Sequence, residues 1–514
     1  MHSYSLAALV LVGGGLPLHA AVKLPSVFSS HMVLQRDQAV AVWGWAGAGE
    51  VVAVSLGDQS KQATADEHGK WRVRLDPLPA GGPHELKVQG KNTVTIKDVL
   101  VGEVWLASGQ SNMVHIMPYV RDAAREIAAA DYPQLRIFTA AAKPAQTPQE
   151  DCGGNWLVCN PKNTENVSAV AYFFARALHR RLDVPVGVVN ASLGSTPIEA
   201  WTSLDAQQKQ PELLPLLSSW QTKARAYDPA AAQREYERLH TPWEAAAKEA
   251  AAAQQPPPRE PKAPLHPYQQ PQHPAVMYNA MIAPLAPYAV RGVVWYQGEY
   301  NAQTEESAAL YAIQLPLLIA DWRRRRGRED LPFAWVQLPN FDVTTRQPVM
   351  TGWPALRDAM RRSLAVPHTG MAVTIDLGDA DSLHPANKLA IAERLALWAR
   401  AEVYGEKIAW SGPLFAEHQI NGREIVLRFR HADGGLVAKG GPLRGFEIAG
   451  ADARWRSGEA RLADDRVIVS HPEVPQPMAV RYAWAANPDG NLCNAAELPA
   501  SPFKTDAASL SPTR

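Results

Sequence analysis

The chain has 514 residues, of which 46% are hydrophobic and 20% are charged. This length predicts two or three domains, and this composition is typical of a globular protein. Lys plus Arg and Asp plus Glu both number 51, so the formal net charge is zero, which argues against a polyanionic partner such as nucleic acid.

Residues 1–21 are predicted to be a cleaved secretory signal peptide. Leu6 to Leu16 is apolar but too short to span a bilayer, and Leu18-His19-Ala20 offers a small-residue cleavage site. The first residues depart from the usual pattern, because they include His2 but no Lys or Arg. We therefore expect export to the periplasm or out of the cell. No later run is long and apolar enough to predict a membrane span.

Residues 22–97 are predicted to form a β-sandwich-like domain, because short apolar strands alternate there with turn residues. The strands are expected at Val40–Trp45, Val51–Leu56, Trp71–Leu75 and Glu85–Val88. This segment has no cluster of catalytic residue types, so we assign it a supporting or sugar-contacting role.

From residue 98 to residue 404, strands and helices alternate, which predicts an α/β domain with a parallel sheet and helices on both faces. A strand from Val101 breaks at Gly109 into the polar turn Gln110-Ser111-Asn112. Open α/β sheets place their ligands at the carboxyl ends of strands, so Ser111 is a candidate nucleophile. A serine after a glycine turn is also typical of a helix N-cap, and these residues alone leave both interpretations open.

The three cysteines, Cys152, Cys159 and Cys493, allow at most one intramolecular disulfide. Cys152 and Cys159 are close enough in sequence to close a small loop in an oxidising compartment. The other interpretation, three unrelated thiols, is equally favoured.

Two further strands are expected to end at the same edge of the sheet. The strand Val184–Ala191 leads to Gly194. This glycine either donates its backbone N–H to an oxyanion or is needed only for the positive φ of a turn. Gly292–Tyr296 leads to Gln297, whose amide can donate to a developing oxyanion. Glu299 is either a general acid or base or an acceptor for loop N–H groups, and we favour the structural role.

Between these motifs, residues 204–273 form a variable insertion with little pattern. Glu244 to Ala253 is compatible with a helix, whereas Gln254 to Pro274 is rich in Pro and Gln and predicts an extended or disordered surface loop. We assign no function to this insertion.

The basic run Arg323–Arg328 closes a predicted helix that is capped by Gly327. Cations at a helix carboxyl terminus complement the helix dipole, and we favour this role over nucleic-acid binding. The apolar face of the helix is expected at Leu310, Ile313, Leu317 and Ile319.

A second polar loop, Asp376–Lys388, precedes a predicted helix and contains Asp381 and His384. A serine attacks only when a base takes its proton, and a carboxylate holds that base in the right tautomer. The order Ser, Asp, His also occurs in α/β-hydrolases, but Met113 stands where their G-x-S-x-G elbow needs a second Gly.

The same loop is also a candidate metal site. Asp376, Asp379, Asp381 and His384 are ligand types, but their spacing fits neither an EF-hand nor a zinc pattern. We therefore predict no metal and no cofactor. The competing base, His368, lacks a carboxylate three residues before it.

Residues 405–505 return to β patterning and predict a second β-rich module, followed by a loose tail at 506–514. Its strands are expected at Glu424–Phe429, Arg466–Ser470 and Ala479–Trp484.

Three spaced motifs, Gly109–Met113, Trp295–Glu299 and Asp381–Pro385, resemble the sialate O-acetylesterase branch of the SGNH (GDSL-like) hydrolases. The similarity runs from about Leu24 to Lys504. It implies an SGNH-hydrolase-like sheet flanked by β-modules. It implies that Ser111, His384 and Asp381 carry out catalysis. It implies an oxyanion hole formed by Ser111, Gly194 and Gln297. The supporting residues that it implies are Gln110, Asn112, Glu299 and Asn301. The family's second block is usually Gly-Gly-Thr, and here Ser195 replaces its second Gly.

The resemblance implies removal of O-acetyl groups from a carbohydrate, with 9-O-acetylated sialic acid as the namesake substrate. An acetylesterase of xylan or xyloglucan is an alternative that an exported protein with 16 Trp suits equally. A non-catalytic carbohydrate-binding protein and a lipase are the rivals from other classes. The expected partner is the acetylated carbohydrate, and the sequence does not specify an oligomeric state.

Overall fold

The structure is a computed structural model that describes residues 21–345 and 349–506. The signal peptide predicted at 1–21 and the tail predicted at 506–514 lie outside the described residues, except for their innermost residue. No helix of the described residues is long and apolar enough to cross a membrane.

The amino-terminal part consists of short strands and the first half of a long one. These strands are β1 Val33–Gln35, β2 Val40–Trp45, β3 Val51–Leu56, β4 Gln59–Thr64, β5 Lys70–Leu75, β6 Gly81–Gln89 and β7 Thr93–Gly109. Strand β3 pairs antiparallel with β4 and β6, and β2 pairs antiparallel with β5. Burial alternates along β3 and β5, as expected for strands that cover a core on one face. The expected strands are present.

Strand β7 joins this part to the central sheet without a break. Its first half pairs with β6 and β1, and from Glu103 onward it pairs with the central strands. The domain boundary expected at residues 97/98 therefore falls inside one continuous strand. A continuous, hydrogen-bonded strand, rather than a linker, therefore joins the two regions.

The central sheet has the strand order β13-β12-β11-β7-β10-β8-β9. Its further strands are β8 Tyr132–Thr139, β9 Asn155–Cys159, β10 Val186–Ser192, β11 Gly292–Tyr296, β12 Phe333–Val336 and β13 Thr369–Ala372. Every neighbouring pair is parallel except β8 and β9. The sheet is therefore mixed, and the expectation of a purely parallel sheet was wrong at its β9 edge.

Helices cover both faces of this sheet. The helices are α1 Ser111–Val114, α2 Ala123–Ala128, α3 Pro161–Thr164, α4 Ala169–Leu182, α5 Leu204–Gln208, α6 Leu214–Arg225, α7 Pro229–Ala252, α8 Glu305–Arg326, α9 Trp353–Arg362 and α10 Lys388–Trp398. Side chains alternate along β7, so Trp105 faces one hydrophobic cluster with α4 and α10, while Leu106 faces a second cluster with α8 and α9.

Short single-turn helices complete the chain. The 3-10 turns are Met117–Tyr119, Ile198–Trp201, Pro211–Leu213, Pro267–Gln269, Val343–Thr345 and Ser363–Ala365, and the π turns are Tyr278–Ile282 and Ala399–Val403.

Helix α8 ends as predicted, with Gly327 at φ +64°. Its arginines are used within the fold: Arg323 donates to carbonyl oxygens, and Arg324 and Arg325 pair with aspartates. The predicted apolar face was only partly right, because Ile319 alone of its four residues is fully buried. The buried stripe is Tyr311, Leu315, Leu318, Ile319 and Trp322. Apolar residues fall on both stripes of this helix, and only the packing of the sheet decides between them.

The insertion is more helical than expected. Helix α7 begins 15 residues before the segment Glu244–Ala253, since Asp228 caps it and Pro229 opens it. Residues 254–265 have no regular structure and are mostly exposed, as predicted, whereas 266–274 are mostly partly buried and include the 3-10 turn Pro267–Gln269, so the predicted surface loop was right only in its first part.

The carboxyl-terminal part contains two four-stranded antiparallel sheets and a strand pair. Its strands are β14 Leu414–Asn421, β15 Glu424–Arg430, β16 Leu436–Ala438, β17 Phe446–Ala449, β18 Arg456–Ser457, β19 Glu459–Ala463, β20 Arg466–Ser470, β21 Ala479–Tyr482, β22 Leu492–Asn494 and β23 Phe503–Lys504. The sheet orders are β14-β15-β20-β19 and β18-β17-β21-β23.

The three cysteines are buried and free, so the disulfide considered between Cys152 and Cys159 is absent. Burial raises the pKa of each of these two thiols to about 12.

Candidate active site

The turn after β7 is built around a glycine at which any side chain would clash. Gly109 has φ +139°, and a Cβ on it would lie 2.1 Å from the carbonyl oxygen of Tyr296 in β11. Gln110 occupies the N-cap position of α1 and Ser111 is its first helical residue. Ser111 is therefore not the N-cap residue of α1. The Ser111 hydroxyl points to another loop instead.

That loop carries His384. Its Nε2 lies 2.9 Å from Ser111 Oγ, although the two residues are 273 positions apart in sequence. The loop is held by Ser382, whose N–H donates to the Asp379 carbonyl and whose hydroxyl accepts the His384 N–H at 3.2 Å. A heavy-atom distance near 2.9 Å is what proton transfer from a serine to an imidazole needs.

Asp381 lies on the same loop and is exposed. Its backbone N–H donates to Asp379 Oδ1 at 3.1 Å. Its role as the carboxylate that orients His384 stays a prediction.

Gly194 lies against the serine, at the end of β10. A Cβ on Gly194 would be 3.5 Å from Ser111 Cβ. The backbone N–H of Leu193 donates to the Gly109 carbonyl, which continues the pairing of β10 with β7. The next residue, Ser195, has φ +60°. This left-handed conformation explains why a glycine suits the position in the related motif.

Gln297 is fully buried behind this turn. Its Nε2 donates to the Thr196 carbonyl at 3.2 Å and to Asn301 Oδ1 at 2.8 Å, and its Oε1 accepts from the Tyr311 hydroxyl at 2.9 Å. Both amide hydrogens thus have acceptors within the protein. In this structure Gln297 joins the turn after β10 to the turn after β11, and its donation to an oxyanion stays a prediction.

The other predicted supporting residues hold these turns together. Gln110 Oε1 accepts from the N–H groups of Gly298 at 3.4 Å and Tyr300 at 3.3 Å. Asn301 Oδ1 also accepts from the Ile198 N–H, and its Nδ2 donates to Glu199 at 3.0 Å.

Glu199 was not found from the sequence. It is buried, it accepts from Asn301 and Gln314, and burial raises its pKa. A single Glu after a turn carries no pattern that would have marked it.

A second network surrounds Asn112. Its Nδ2 donates to Glu299 Oε1 and, at 3.1 Å, to the Leu383 carbonyl, while Lys388 Nζ donates to its Oδ1. Asn112, Glu299 and Lys388 are all buried. Burial raises the pKa of Glu299 and lowers that of Lys388 to about 7. Asn112 and Glu299 were predicted from the sequence, but Lys388 was not, since a lysine at a helix start is ordinarily exposed.

His115 was also missed. Its ring centre lies 5.3 Å from that of His384, and its other neighbour is Tyr119, which stacks on it at 5.4 Å. Burial, followed by the charges of Lys388 and His384, lowers the pKa of His115 to about 4. It is therefore neutral near pH 7.

Within the described residues, no group of three or more His, Cys, Asp or Glu side chains is placed to hold a metal ion.

A serine hydroxyl beside an imidazole, at the carboxyl ends of parallel strands, is the arrangement of serine hydrolases. Residues 266–397 match the family described as carbohydrate esterase, sialic acid-specific acetylesterase. These findings define the class as a carbohydrate esterase.

Whole-chain comparisons give the particular family. The chain is 31% identical to the sialate O-acetylesterase of Rattus norvegicus, with 94% of each chain covered. It is 30% identical to that of Homo sapiens, over 94% of this chain and 92% of the human one. A crystal structure of a carbohydrate acetylesterase from Xanthomonas citri is 37% identical, with a TM-score of 0.80, and covers 95% of this chain and 100% of that chain. The chain belongs to the sialate O-acetylesterase family.

Proposed function

We propose that this protein hydrolyses O-acetyl esters of sugars with Ser111 as its nucleophile. The observation that carries the proposal is the 2.9 Å distance between Ser111 Oγ and His384 Nε2. Membership of the sialate O-acetylesterase family supports the class of ester.

The reaction has two halves. Ser111 Oγ attacks the acetyl carbonyl carbon while His384 takes its proton, and His384 then gives that proton to the departing sugar oxygen. The acetyl group remains on Ser111 as an acyl-enzyme. His384 next takes a proton from water, the water oxygen attacks the acyl carbon, and acetate leaves as the proton returns to Ser111. Asp381 holds the imidazole in the required tautomer.

The carbonyl oxygen becomes negatively charged in both halves. The proposed donors to it are the backbone N–H groups of Ser111 and Gly194 and the side chain of Gln297. The closeness of Gly194 to Ser111 supports its place in this set. Each such donor is typically worth about two to three orders of magnitude in kcat.

The proposed substrate is 9-O-acetylated sialic acid, in line with the names of the mammalian relatives. An acetylated plant polysaccharide, xylan or xyloglucan, is the second candidate. The Xanthomonas citri protein, at 37% identity, is described as a carbohydrate acetylesterase, a description that fits either substrate.

We also propose an SGNH-hydrolase-like fold for the catalytic domain and β-sandwich-like modules on either side of it. We further propose export of the protein to the periplasm or out of the cell. The sequence resemblance supports the first two, and the pattern of residues 1–21 supports the third.

Hydrolysis of p-nitrophenyl acetate by the wild type and by Ser111→Ala tests the nucleophile. We expect kcat to fall by about four to six orders of magnitude in Ser111→Ala, with an unchanged circular dichroism spectrum. The matched control is Ser60→Ala, an exposed serine of β4, which should behave as the wild type. Equal activity in Ser111→Ala and the wild type would reject the proposal.

Substrate class is tested with the wild type alone. Acetate release is compared on 9-O-acetylated sialic acid, acetylated xylan and acetylated xyloglucan. A rate that rises from acetate to octanoate esters would indicate a lipase instead. Sugar binding without any ester hydrolysis would indicate a carbohydrate-binding protein.

A further inference from the structure

Lys388 is a fully buried lysine beside the nucleophile turn. It is the first residue of α10, four residues after His384, and its exposed fraction is 0%. Its Nζ donates to Asn112 Oδ1 and lies 5.3 Å from the centre of the Tyr296 ring. A lysine is almost never fully buried unless it is paired, so its contacts at this point call for a physical explanation.

Lys388 determines which way the Asn112 amide faces. The amino group of lysine carries N–H donors whether it is charged or neutral, and the atom of Asn112 that accepts from it is the oxygen. The amide nitrogen then faces the opposite side, where Glu299 Oε1 and the Leu383 carbonyl both accept from it. A flipped amide would set N–H groups against the ammonium and an oxygen against two acceptors.

Asn112 in turn connects three loops at the positions next to the reacting groups. It follows Ser111 directly, and its bond at 3.1 Å is to the carbonyl of Leu383, which directly precedes His384. Its bond to Glu299 adds the turn after β11. The side chain of one asparagine thus ties the serine turn to the histidine loop.

The charges agree with this arrangement. Glu299 is the carboxylate that faces the ammonium group, and the two groups contact opposite ends of the same amide. Among the described residues, Glu299 Oε2 has no hydrogen-bond partner. A buried carboxylate with one oxygen that accepts no hydrogen bond is costly, and the positive charge of protonated Lys388 stabilises it.

We propose that Lys388 is a positioning residue of the esterase: it fixes the orientation of the Asn112 amide and, through Asn112, the distance between Ser111 and His384. The inference rests on the proposed function of the same site. The hydrogen bond of the Lys388 side chain is to Asn112, so we expect its effect on the reacting groups to pass through Asn112.

The test is a double-mutant cycle of Lys388→Met, Asn112→Ala and the double variant, measured on p-nitrophenyl acetate. Misplacement of a reacting group by about 1 Å can cost about 100-fold in rate. We expect each single variant to lower kcat about 10- to 100-fold with KM within about 3-fold. The double variant should be no slower than the slower single variant, because both remove one shared connection.

A fluorophosphonate that labels the serine gives a second readout, since its rate of reaction depends on the Ser111–His384 pair and not on sugar binding. Labelling should slow by the same factor as kcat. Lys407→Met makes the same chemical change at an exposed lysine and should match the wild type. If Lys388→Met does not fold, the cycle is run with Lys388→Gln, which keeps an N–H donor and removes the charge.

Two results would overturn the inference. One is a kcat and labelling rate within about 3-fold of the wild type in the folded Lys388 variant. The other is a double variant whose losses multiply, because Lys388 and Asn112 would then act independently. Inactive Ser111→Ala together with an active Lys388 variant would reject only this inference, whereas an active Ser111→Ala would reject the proposed function.

Discussion

Ser111 and His384 are 273 residues apart in sequence, and the structure brings Oγ of the first to 2.9 Å from Nε2 of the second. The serine stands at the end of β7 and the histidine on the loop before α10, so the central sheet and the packing of α10 determine this distance together. The pair accounts for a nucleophile and its base.

The first prediction concerns the base. His384→Ala should lower kcat for p-nitrophenyl acetate by about four orders of magnitude or more, because the serine then has no acceptor for its proton. The control is His368→Asn, which changes an exposed histidine at φ +56° to a residue that tolerates that conformation. Similar losses in both variants would show that His384 has no special role.

The second prediction concerns Gln297. If its amide turns to the oxyanion during the reaction, Gln297→Ala should lower kcat about 100- to 1,000-fold with little change in KM. The matched control is Gln337→Ala, another fully buried glutamine, which donates to Arg357 and Ser501 outside the site. A stability loss in both variants, with kcat of the folded Gln297 variant unchanged, would assign Gln297 to loop support.

The third prediction concerns Gly109. Gly109→Ala combines a clash with the Tyr296 carbonyl and a backbone conformation at φ +139° that alanine resists. We expect a loss of about 2–4 kcal/mol in the free energy of unfolding, measured in urea, and reduced activity. Gly57→Ala is the control, because Gly57 has φ +58° with open space around it. It should cost about 1–2 kcal/mol, from the conformation alone. Equal losses would show that the close approach to Tyr296 contributes nothing.

The fourth prediction concerns the pH dependence of stability. Burial lowers the pKa of Lys388 to about 7 in the folded state, whereas the unfolded chain has the ordinary value of about 10.4. Between these values the unfolded state binds more protons, so this group makes the free energy of unfolding rise with pH, by up to about 1.4 kcal/mol per unit. Urea unfolding of the wild type at pH 7 and pH 9 should show a rise that Lys388→Met lacks.

Lys407→Met serves as its control and should keep the wild-type rise, since Lys407 is exposed. Burial raises the pKa of Glu299, so this group contributes in the opposite direction, and it is present in both the wild type and Lys388→Met. Parallel pH dependences in the wild type and Lys388→Met would contradict the assignment.

The fifth prediction concerns the thiols. Because the cysteines are buried and free, a thiol reagent such as Ellman's should react slowly with the native protein. After denaturation without reductant it should titrate all 3 cysteines. A titre of one thiol would demonstrate a disulfide and contradict the structure.

The sequence by itself predicted the serine and the histidine that the structure brings together, and it predicted the α/β class of the fold. Two of the patterns are local: a strand breaks at Gly109 before Ser111, and an aspartate lies three residues before His384. Local patterns can be recognised from the amino-acid sequence alone. The alternation of strands and helices likewise predicted a layered α/β domain, and the helix end at Gly327 followed from its capping residue.

Only the tertiary structure decided matters that depend on what packs against what. The continuity of β7 through the expected domain boundary, the antiparallel β9 and the buried stripe of α8 all arise from pairings between distant segments. The two hydrogens of Gln297 find acceptors that no local pattern indicates. The burial of Lys388 beside Asn112 could not be predicted from the sequence for the same reason. The burial of a residue depends on the surfaces that pack around it, and here those surfaces come from parts of the chain 276 residues apart.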